Sequence, residues 1–264
     1  GGFSVRNTSI ASYQSDAITW VIVVFTFLAG INFSLLYAVV RGRIKDALRS
    51  EELRWYLLIL AITITLICVD LHVELGQGWY ESAKDAAFQA TTIMSTTGYA
   101  TKDFTLWPTF SRCILVLLMY VGGCAGSTAG GMKVSRLMLQ VKSLRRELDH
   151  IIHPNRVSVI TMDGQSVDER AVTSAHMFQV AYLLILMAGT LVVSLDVLGF
   201  TESFVAALTC ISNVGPSLGA LGPMANFAPL SWFSKLVLTL IMLMGRLELM
   251  PLLVLLSPST WRNK

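Results

Sequence analysis

Long stretches without a charged residue constrain this chain more than any other feature of its sequence. Residues 17–40 form one such stretch, and its 24 residues suffice to cross about 30 Å of hydrocarbon as a helix. Further apolar or uncharged stretches cover 55–69, 113–132, 171–195 and 203–234. Because lipid offers the backbone no hydrogen-bond partner, such segments fold as helices. The sequence therefore predicts an all-α membrane protein with about five or six spans.

The composition argues against most other classes of protein. Only 14% of the residues are charged and 54% are hydrophobic, whereas a soluble domain carries about 25% charged residues. A soluble enzyme and a disordered chain are therefore disfavoured. The net charge of +3 is too small to indicate a polyanionic partner. We expect no nucleic acid as a partner and predict that membrane lipid surrounds the chain.

The longest uncharged stretch, 203–234, cannot be one helix. It contains six helix-breaking residues, namely Gly215, Pro216, Gly219, Gly222, Pro223 and Pro229. We expect a short helix at 204–212, a loop, and a new helix that Pro229 opens, since the missing N–H of proline costs nothing at the first helical position. That last helix is expected to run to about Leu256, with Arg246 in its middle.

The same order of elements occurs earlier in the chain. A compact helical stretch at 83–94 is followed by the loop 95–100, and a shift of 117 residues superimposes this loop on 212–217. The hydropathy on both sides agrees at this shift. The pattern predicts two copies of a unit made of outer helix, short helix, re-entrant loop and inner helix, at 55–132 and 172–256.

These two loops indicate an ion path. Non-helical backbone at membrane depth survives only inside protein or beside water. The short helices that end at the loops direct the partial negative charge of their C-termini at a cation. Carbonyl oxygens of 96–98 and 213–215 can then replace the hydration shell of a monovalent cation. The alternative is that both segments are external turns.

A glycine-rich stretch at 122–131 interrupts what should be a membrane helix. All ten residues are small and five are glycine, each of which costs a helix up to about 1 kcal/mol relative to alanine. The stretch predicts a flexible loop that lies across a pore and moves. The alternative is close packing of helices through small-residue spacings such as Gly122/Gly126.

Arg246 is a charged residue inside an apolar segment, where such a group usually faces a cavity or a partner. Two functional interpretations stay open: it repels cations below the re-entrant loops, or it braces the glycine-rich stretch. The alternative is an arginine that snorkels near the cytoplasmic end of its helix. Glu248 projects to a different face and does not explain Arg246 as a simple helical pair.

Two functions from other classes are also open. Ser127 lies between glycine-rich flanks and His176 lies in another span, which would suit the nucleophile and base of an intramembrane serine hydrolase. The serine lacks a Gly-x-Ser-x-Gly spacing, and no third orienting group is evident. The other possibility is a non-conducting membrane fragment that only packs or assembles.

Lysine and arginine are concentrated in the linkers 41–54 and 133–170. By the positive-inside rule these linkers are cytoplasmic, and the re-entrant loops then open toward the outside. We interpret the longer linker as a solvated continuation of the broken helix, with the option of docking an acidic partner or anionic lipid.

Five motifs carry a family resemblance. They are Thr-Thr-Gly-Tyr at 96–99, Gly-Gly-Cys-Ala-Gly-Ser-Thr-Ala-Gly-Gly-Met-Lys at 122–133, His-Pro-Asn at 153–155, Asn-Val-Gly-Pro at 213–216 and Gly-Arg-Leu-Glu at 245–248. Together they resemble, over essentially the whole chain, the bacterial Trk potassium-uptake membrane subunits of TrkH type, which belong with the Ktr and Htr proteins to the superfamily of K⁺ transporters.

The resemblance implies helix–pore-loop–helix repeats, four around one pore, which conducts K⁺ through a carbonyl-lined filter with one glycine per repeat. It also implies a homodimer in the bacterial cytoplasmic membrane, cytoplasmic nucleotide-binding regulatory subunits of TrkA type, and no cofactor in this chain. Residues 1–54 would be the tail of repeat two, 55–170 repeat three and 171–264 repeat four. We therefore expect the C-terminal portion of such a subunit, without repeat one and most of repeat two.

The resemblance implies the site residues as well. The ion-binding filter residues would be Gly2, Phe3, Thr96, Thr97, Gly98, Tyr99, Asn213, Val214, Gly215 and Pro216. The intramembrane gating loop would use Gly122, Gly123, Gly126, Ser127, Thr128, Gly130 and Gly131, with Arg246 as the pore-facing arginine beside it. The sequence departs from the family pattern at Tyr99, where phenylalanine is common, and at Ala129, where glycine is common.

Overall fold

A computed structural model describes residues 4, 8–155, 158–196, 198–247, 249, 251 and 254, and the predicted helical fold is confirmed. The helices are α1 (Asp16–Ala29), α2 (Phe33–Val40), α3 (Ile44–Arg49), α4 (Glu51–Leu75), α5 (Trp79–Met94), α6 (Thr109–Val121), α7 (Val134–Ile152), α8 (Glu169–Val193), α9 (Phe200–Ser212) and α10 (Trp232–Arg246). Short 3-10 helices lie at Ser9–Tyr13, Phe104–Leu106, Ser194–Asp196 and Gly219–Leu221. Strands β1 (Thr161–Met162) and β2 (Gln165–Ser166) form an antiparallel ribbon in which Thr161 lies opposite Ser166.

Two helices, α4 and α8, are long and apolar enough to cross a membrane within the part of the chain that the structure describes. The pair α1 and α2 counts as a third span if it is taken as one, but its helices meet at a bend of 107°. α6 and α9 are apolar but only 13 residues long. Among the described residues the expected number of about five or six spans is not reached, because the other uncharged stretches are divided between short helices and loops.

The prediction of one continuous helix over 17–40 is wrong, because the segment breaks between α1 and α2. The side chain of Asn32 caps the start of α2. A tertiary contact satisfies the backbone at the break, since the carbonyl of Gly30 accepts the N–H of Cys124 at 2.9 Å. The hydrogen bond that a continuous helix would have formed is thus replaced by one to a distant part of the chain.

Tyr56 of α4 packs into the break between α1 and α2. Its side chain is fully buried, and its hydroxyl donates to the carbonyl of Phe27 at 3.0 Å. A Cβ on Gly30 would lie 2.4 Å from the hydroxyl oxygen of Tyr56, so no larger residue fits there without a shift. The bend therefore depends on a close approach that glycine permits.

The Gly30→Ala variant is expected to lose about 2 kcal/mol of its free energy of unfolding, because the added methyl group overlaps a buried ring in a close-packed interior. In a Tyr56→Phe background the same substitution should cost less, since the hydroxyl oxygen is the atom nearest to the new Cβ. Denaturation of the detergent-solubilised protein measures both costs. Equal costs in the two backgrounds would contradict this explanation of the bend.

The short helices α5 and α9 lie inside the protein. α5 packs against α1, α4 and α6, and α9 packs against α6, α8 and α10. All residues at 85–94 of α5 and at 205–212 of α9 are buried. The loop that follows each short helix therefore begins in the protein interior.

The last inner helix differs from its prediction at both ends. α10 begins after Ser231, whose hydroxyl oxygen accepts a backbone N–H of the first turn at 3.2 Å. A serine cap, and not Pro229, opens this helix. α10 ends at Arg246, so the arginine lies at the end of this helix. Beyond it the described residues 249, 251 and 254 are helical, and the predicted end near Leu256 lies outside the described residues.

The linker 133–170 begins with the 19-residue helix α7, which continues the chain beyond the glycine-rich stretch, and the β ribbon follows without a signal in the sequence. α7 is tied to the first residue of each long apolar helix. Lys142 forms an ion pair with Glu51 of α4, and Arg146 forms one with Glu169 of α8. The starts of α4 and α8 and the helix α7 therefore lie at the same end of the molecule.

Candidate functional site

The loops that follow α5 and α9 have the same backbone hydrogen bonds. In the first loop the N–H of Thr97 donates to the carbonyl of Thr92 at 2.8 Å. In the second the N–H of Val214 donates to the carbonyl of Thr209 at 3.0 Å. The residue before each donor is left-handed, with φ of 54° in the first loop and 57° in the second. The offset between the two patterns is the 117 residues of the sequence repeat.

Two buried threonines outside the predicted site hold these loops. Thr92 of α5 donates its hydroxyl to the carbonyl of Tyr99 at 3.1 Å. Thr209 of α9 accepts the N–H of Gly215 at 2.9 Å. The sequence contained a signal for both, because they are 117 residues apart and each stands six residues before the glycine of its loop.

The two loops touch each other and line one cavity of about 700 Å³. A Cβ on Gly98 would lie 2.1 Å from the carbonyl oxygen of Val214. The lining includes seven of the predicted filter residues, namely Thr97, Gly98, Tyr99, Asn213, Val214, Gly215 and Pro216. Two others, Gly2 and Phe3, lie outside the described residues, while Ser4 lines the cavity.

Neutral groups dominate the wall of this cavity. Of the described residues that line it, none is aspartate or glutamate. α5 and α9 each end directly before their loop, so the partial negative charge of both C-termini is directed at the loops. Backbone carbonyls suit a monovalent cation that binds and leaves readily, whereas Ca²⁺ and Mg²⁺ sites use carboxylates.

The stretch 122–131 is a loop, so the alternative of packed helices through these glycines is wrong for this segment. The loop docks on the break between α1 and α2. The hydroxyl of Thr128 donates to the carbonyl of Ala29 at 3.1 Å. The N–H of Phe33 donates to the carbonyl of Gly126, also at 3.1 Å. This docking site was not predicted, because the break between α1 and α2 was not predicted either.

The glycine-rich loop also contacts both re-entrant loops. The N–H of Gly130 donates to the hydroxyl of Thr96 at 2.9 Å. A Cβ on Gly130 would lie 2.2 Å from the carbonyl oxygen of Ser212. Thr96, the remaining predicted filter residue, thus binds the glycine-rich loop and is almost fully buried. Movement of this loop would therefore disturb the backbone that lines the cavity.

Arg246 lies beside the glycine-rich loop, between two cavities. Its Nη1 donates to the carbonyl of Thr128 at 3.0 Å. It lines the cavity of about 700 Å³ and a second cavity of about 300 Å³, whose wall includes 127–131. Because the guanidinium group binds protein backbone, this geometry favours the bracing interpretation over snorkelling. Glu248 lies outside the described residues.

A buried carboxylate holds the other side of the glycine-rich loop. Glu52, in the first turn of α4, is 8% exposed, and its Oε1 accepts the N–H of Ala125 at 2.6 Å. It satisfies a backbone donor that would otherwise be unpaired in the interior. The spacing around Glu52 contains no signal for this role, because acidic residues are common in any first helical turn.

The hypothetical hydrolase pair is not assembled. The hydroxyl of Ser127 donates to the carbonyl of Cys124 at 2.5 Å, whereas Nε2 of His176 lies 3.1 Å from the hydroxyl oxygen of Ser143. Because nucleophile and base must share a hydrogen bond, the hydrolase hypothesis is wrong. Among the described residues, no group of three or more His, Cys, Asp or Glu side chains could hold a metal ion.

Known proteins resemble this chain over its whole length. The TrkH family, described as cation transport protein, matches residues 1–263. The chain is 33% identical to the Trk system potassium uptake protein TrkH of Escherichia coli (strain K12) and 32% identical to TrkG of the same strain, over 268 residues in each case. Both matches cover 100% of this chain and 54% of the relative.

A solved structure gives the same result. The crystal structure of the potassium transporter TrkH from Vibrio parahaemolyticus matches with a TM-score of 0.91 and 32% sequence identity. The match covers 99% of this chain and 56% of that chain. The chain therefore spans about half the length of the relatives that it matches.

Proposed function

The chain belongs to the TrkH family of cation transport proteins, and from that premise we propose that it forms part of the path by which K⁺ crosses the bacterial cytoplasmic membrane. The observation that carries this proposal is the cavity lined jointly by the two re-entrant loops. Irregular backbone at membrane depth is stable beside a water-filled path. Such a path, flanked by two helix C-termini, lowers the energy of a cation inside it.

The filter consists of the loop residues on the cavity wall together with Gly2 and Phe3 of the preceding repeat. Gly98 and Gly215 are the filter glycines of the two complete loops, and carbonyl oxygens around them replace the hydration shell of K⁺. The absence of carboxylates among the described lining residues supports a monovalent ion. The names of the relatives, potassium uptake proteins, support K⁺ in particular.

The repeats surround one pore. Residues 55–170 supply repeat three, 171–264 supply repeat four, and 1–54 supply the end of repeat two. Support comes from the shared loop backbone at an offset of 117 residues. A complete pore then contains four such loops, and the subunit is the C-terminal portion of a longer transporter.

The gate is the glycine-rich loop at 122–131, with Arg246 as its brace. This loop reaches from the break between α1 and α2 to both re-entrant loops. Arg246 binds it from α10. A segment held by a few hydrogen bonds, and containing five glycines, can move between two arrangements without unfolding its neighbours.

The linkers 41–54 and 133–170 face the cytoplasm. Their basic residues support this side, and the ion pairs between α7 and the starts of α4 and α8 place both linkers at one end. The same end would meet cytoplasmic nucleotide-binding regulatory subunits of TrkA type, and two copies of the complete transporter would form a homodimer in the membrane.

Growth rescue tests the proposed function. The complete open reading frame that contains this chain is expressed in a bacterium that lacks K⁺ uptake, and growth is measured in medium of low K⁺ concentration. We expect rescue, together with Rb⁺ uptake by the cells, relative to cells with an empty vector. Failure of both, with the protein present in the membrane, would leave only the non-conducting assembly function.

A further inference from the structure

The two short helices that precede the re-entrant loops, α5 and α9, are called the pore helices, and an acidic residue occupies the same position of the repeat in each. Asp85 lies in α5 and Glu202 lies in α9, 117 residues later. Neither belongs to the filter, to the glycine-rich loop or to the cavity wall. Both carboxylates instead contact the segment that follows their filter loop. This contact lies four residues after the filter glycine, at 102 in one repeat and at 219 in the other.

In the repeat that contains α5 the contact is an ion pair. Asp85 is 2% exposed, and its Oδ2 lies 2.7 Å from Nζ of Lys102. Lys102 itself is 41% exposed, so it reaches inward from the surface of the loop. A carboxylate so deeply buried is stable only when a charge or donor is close by.

In the repeat that contains α9 the carboxylate contacts the backbone. Gly219 stands at the position equivalent to Lys102, so no side chain is available to meet the acid. Glu202, longer by one methylene group, reaches the segment directly, and its Oε1 accepts the N–H of Ala220 at 2.8 Å. A Cβ on Gly219 would lie 2.1 Å from that oxygen.

The two segments that follow the filter loops also contact each other. A Cβ on Gly222 would lie 2.6 Å from Cγ2 of Thr105. The filter loops are in contact as well, at Gly98 and Val214. Each loop is therefore fixed at its near end by the threonine of its pore helix and at its far end by the acid of that helix.

We propose that Asp85 and Glu202 are positioning residues for ion selection, each fixing the outer end of its filter loop to its own pore helix. This inference rests on the proposed transport function. Discrimination between K⁺ and Na⁺ depends on the spacing and number of the carbonyl oxygens around the ion. A loop released at its outer end lets those oxygens close around the smaller ion, so selectivity falls before conduction is lost.

Ion flux in proteoliposomes tests the proposal, with the product of the complete open reading frame and equal amounts of inserted protein. Asp85→Asn, Lys102→Gln and Glu202→Ala each remove one contact, and we expect each to lower the preference for K⁺ over Na⁺ by about tenfold. Lys102→Arg keeps the cation and Glu202→Gln keeps an acceptor oxygen, so both should preserve most of the preference. Glu81→Gln is the matched control, since Glu81 is an exposed acid of the same helix.

A purely structural role would lower thermal stability and leave the flux ratio unchanged, which would overturn the proposal. A loss of selectivity in the Glu81→Gln control equal to that in Asp85→Asn would also overturn it. Lys102→Gln changes an exposed side chain, so this variant stays folded even if Asp85→Asn does not. Absence of K⁺ flux in the unmodified protein would contradict the transport function itself and is distinguishable from both outcomes.

Discussion

The Gly98→Ala variant is expected to lose at least about a hundredfold of its K⁺ uptake, because small displacements of positioned groups have effects of this order. The backbone of Gly98 has φ of +77°, a region that residues with a Cβ rarely adopt. The Cβ would also lie 2.1 Å from the carbonyl oxygen of Val214. That oxygen belongs to the neighbouring loop, so one methyl group displaces both halves of the cavity wall.

Gly164→Ala is the matched control for this experiment. Gly164 lies in the turn of the β ribbon with φ of +79°, and a Cβ there would meet nothing within 4 Å. Both variants bear similar backbone strain, and only Gly98→Ala adds a clash between the two re-entrant loops. Rb⁺ uptake is measured at equal amounts of membrane-inserted protein. Unchanged uptake in Gly98→Ala, or an equal loss in Gly164→Ala, would exclude the assigned role of this glycine.

The segments around the cavity could be located from sequence because their signals are local. Glycines and prolines interrupt otherwise apolar stretches, and the shift of 117 residues aligns 95–100 with 212–217. Within these two segments, residues 97–99 and 213–216 line the cavity in the structure. The acids Asp85 and Glu202 obey the same shift, so the repeat, applied to the whole pore helix, would have found them too.

The break between α1 and α2 could not be predicted because its cause is tertiary. The segment 17–40 is uncharged throughout and mostly apolar, so its local pattern favours one helix. The helix breaks where the glycine-rich loop supplies hydrogen-bond partners to the backbone of Gly30 and Phe33. The ring of Tyr56 packs against Gly30 at the same place. These partners are distant in sequence, so the hydropathy pattern of 17–40 contains no signal for them.

The start of α10 was predicted wrongly for a different reason. Pro229 is a good first residue for a helix, but Ser231 offers a side-chain oxygen to the first-turn N–H groups, and the described helix begins after it. Glu52 shows the same limit at the site. Its position in a first helical turn predicts a surface residue, whereas the structure uses its carboxylate to bind the buried loop.

The Arg246→Ala variant is expected to raise the basal K⁺ flux by about tenfold, because a hydrogen bond from a charged donor is worth roughly 1.4 kcal/mol or more. The guanidinium binds the carbonyl of Thr128, and Arg246 lines both the larger cavity and the smaller one beside the glycine-rich loop. Its removal weakens the attachment of one side of that loop and takes a positive charge off the cavity wall. Both effects favour passage of a cation, and flux from K⁺-loaded proteoliposomes measures their sum.

Arg246→Lys separates these two effects, since lysine keeps the charge but is too short and lacks the fork that reaches the loop. If the hydrogen bond to the loop controls the flux, Arg246→Lys shows nearly the same basal K⁺ flux as Arg246→Ala. If the charge alone were the barrier, its basal K⁺ flux would equal that of the unmodified protein.

Lys235→Ala is the control, because Lys235 also lies on α10 and donates to a backbone carbonyl, that of Ala228 at 2.7 Å. A flux that falls in Arg246→Ala would overturn the gating role. The contacts of the loop argue against that outcome, because Glu52 and Thr96 hold other parts of it. The hydroxyl of Thr128 still donates to the carbonyl of Ala29, but this neutral hydrogen bond is weaker than the charge-assisted one that Arg246 supplies.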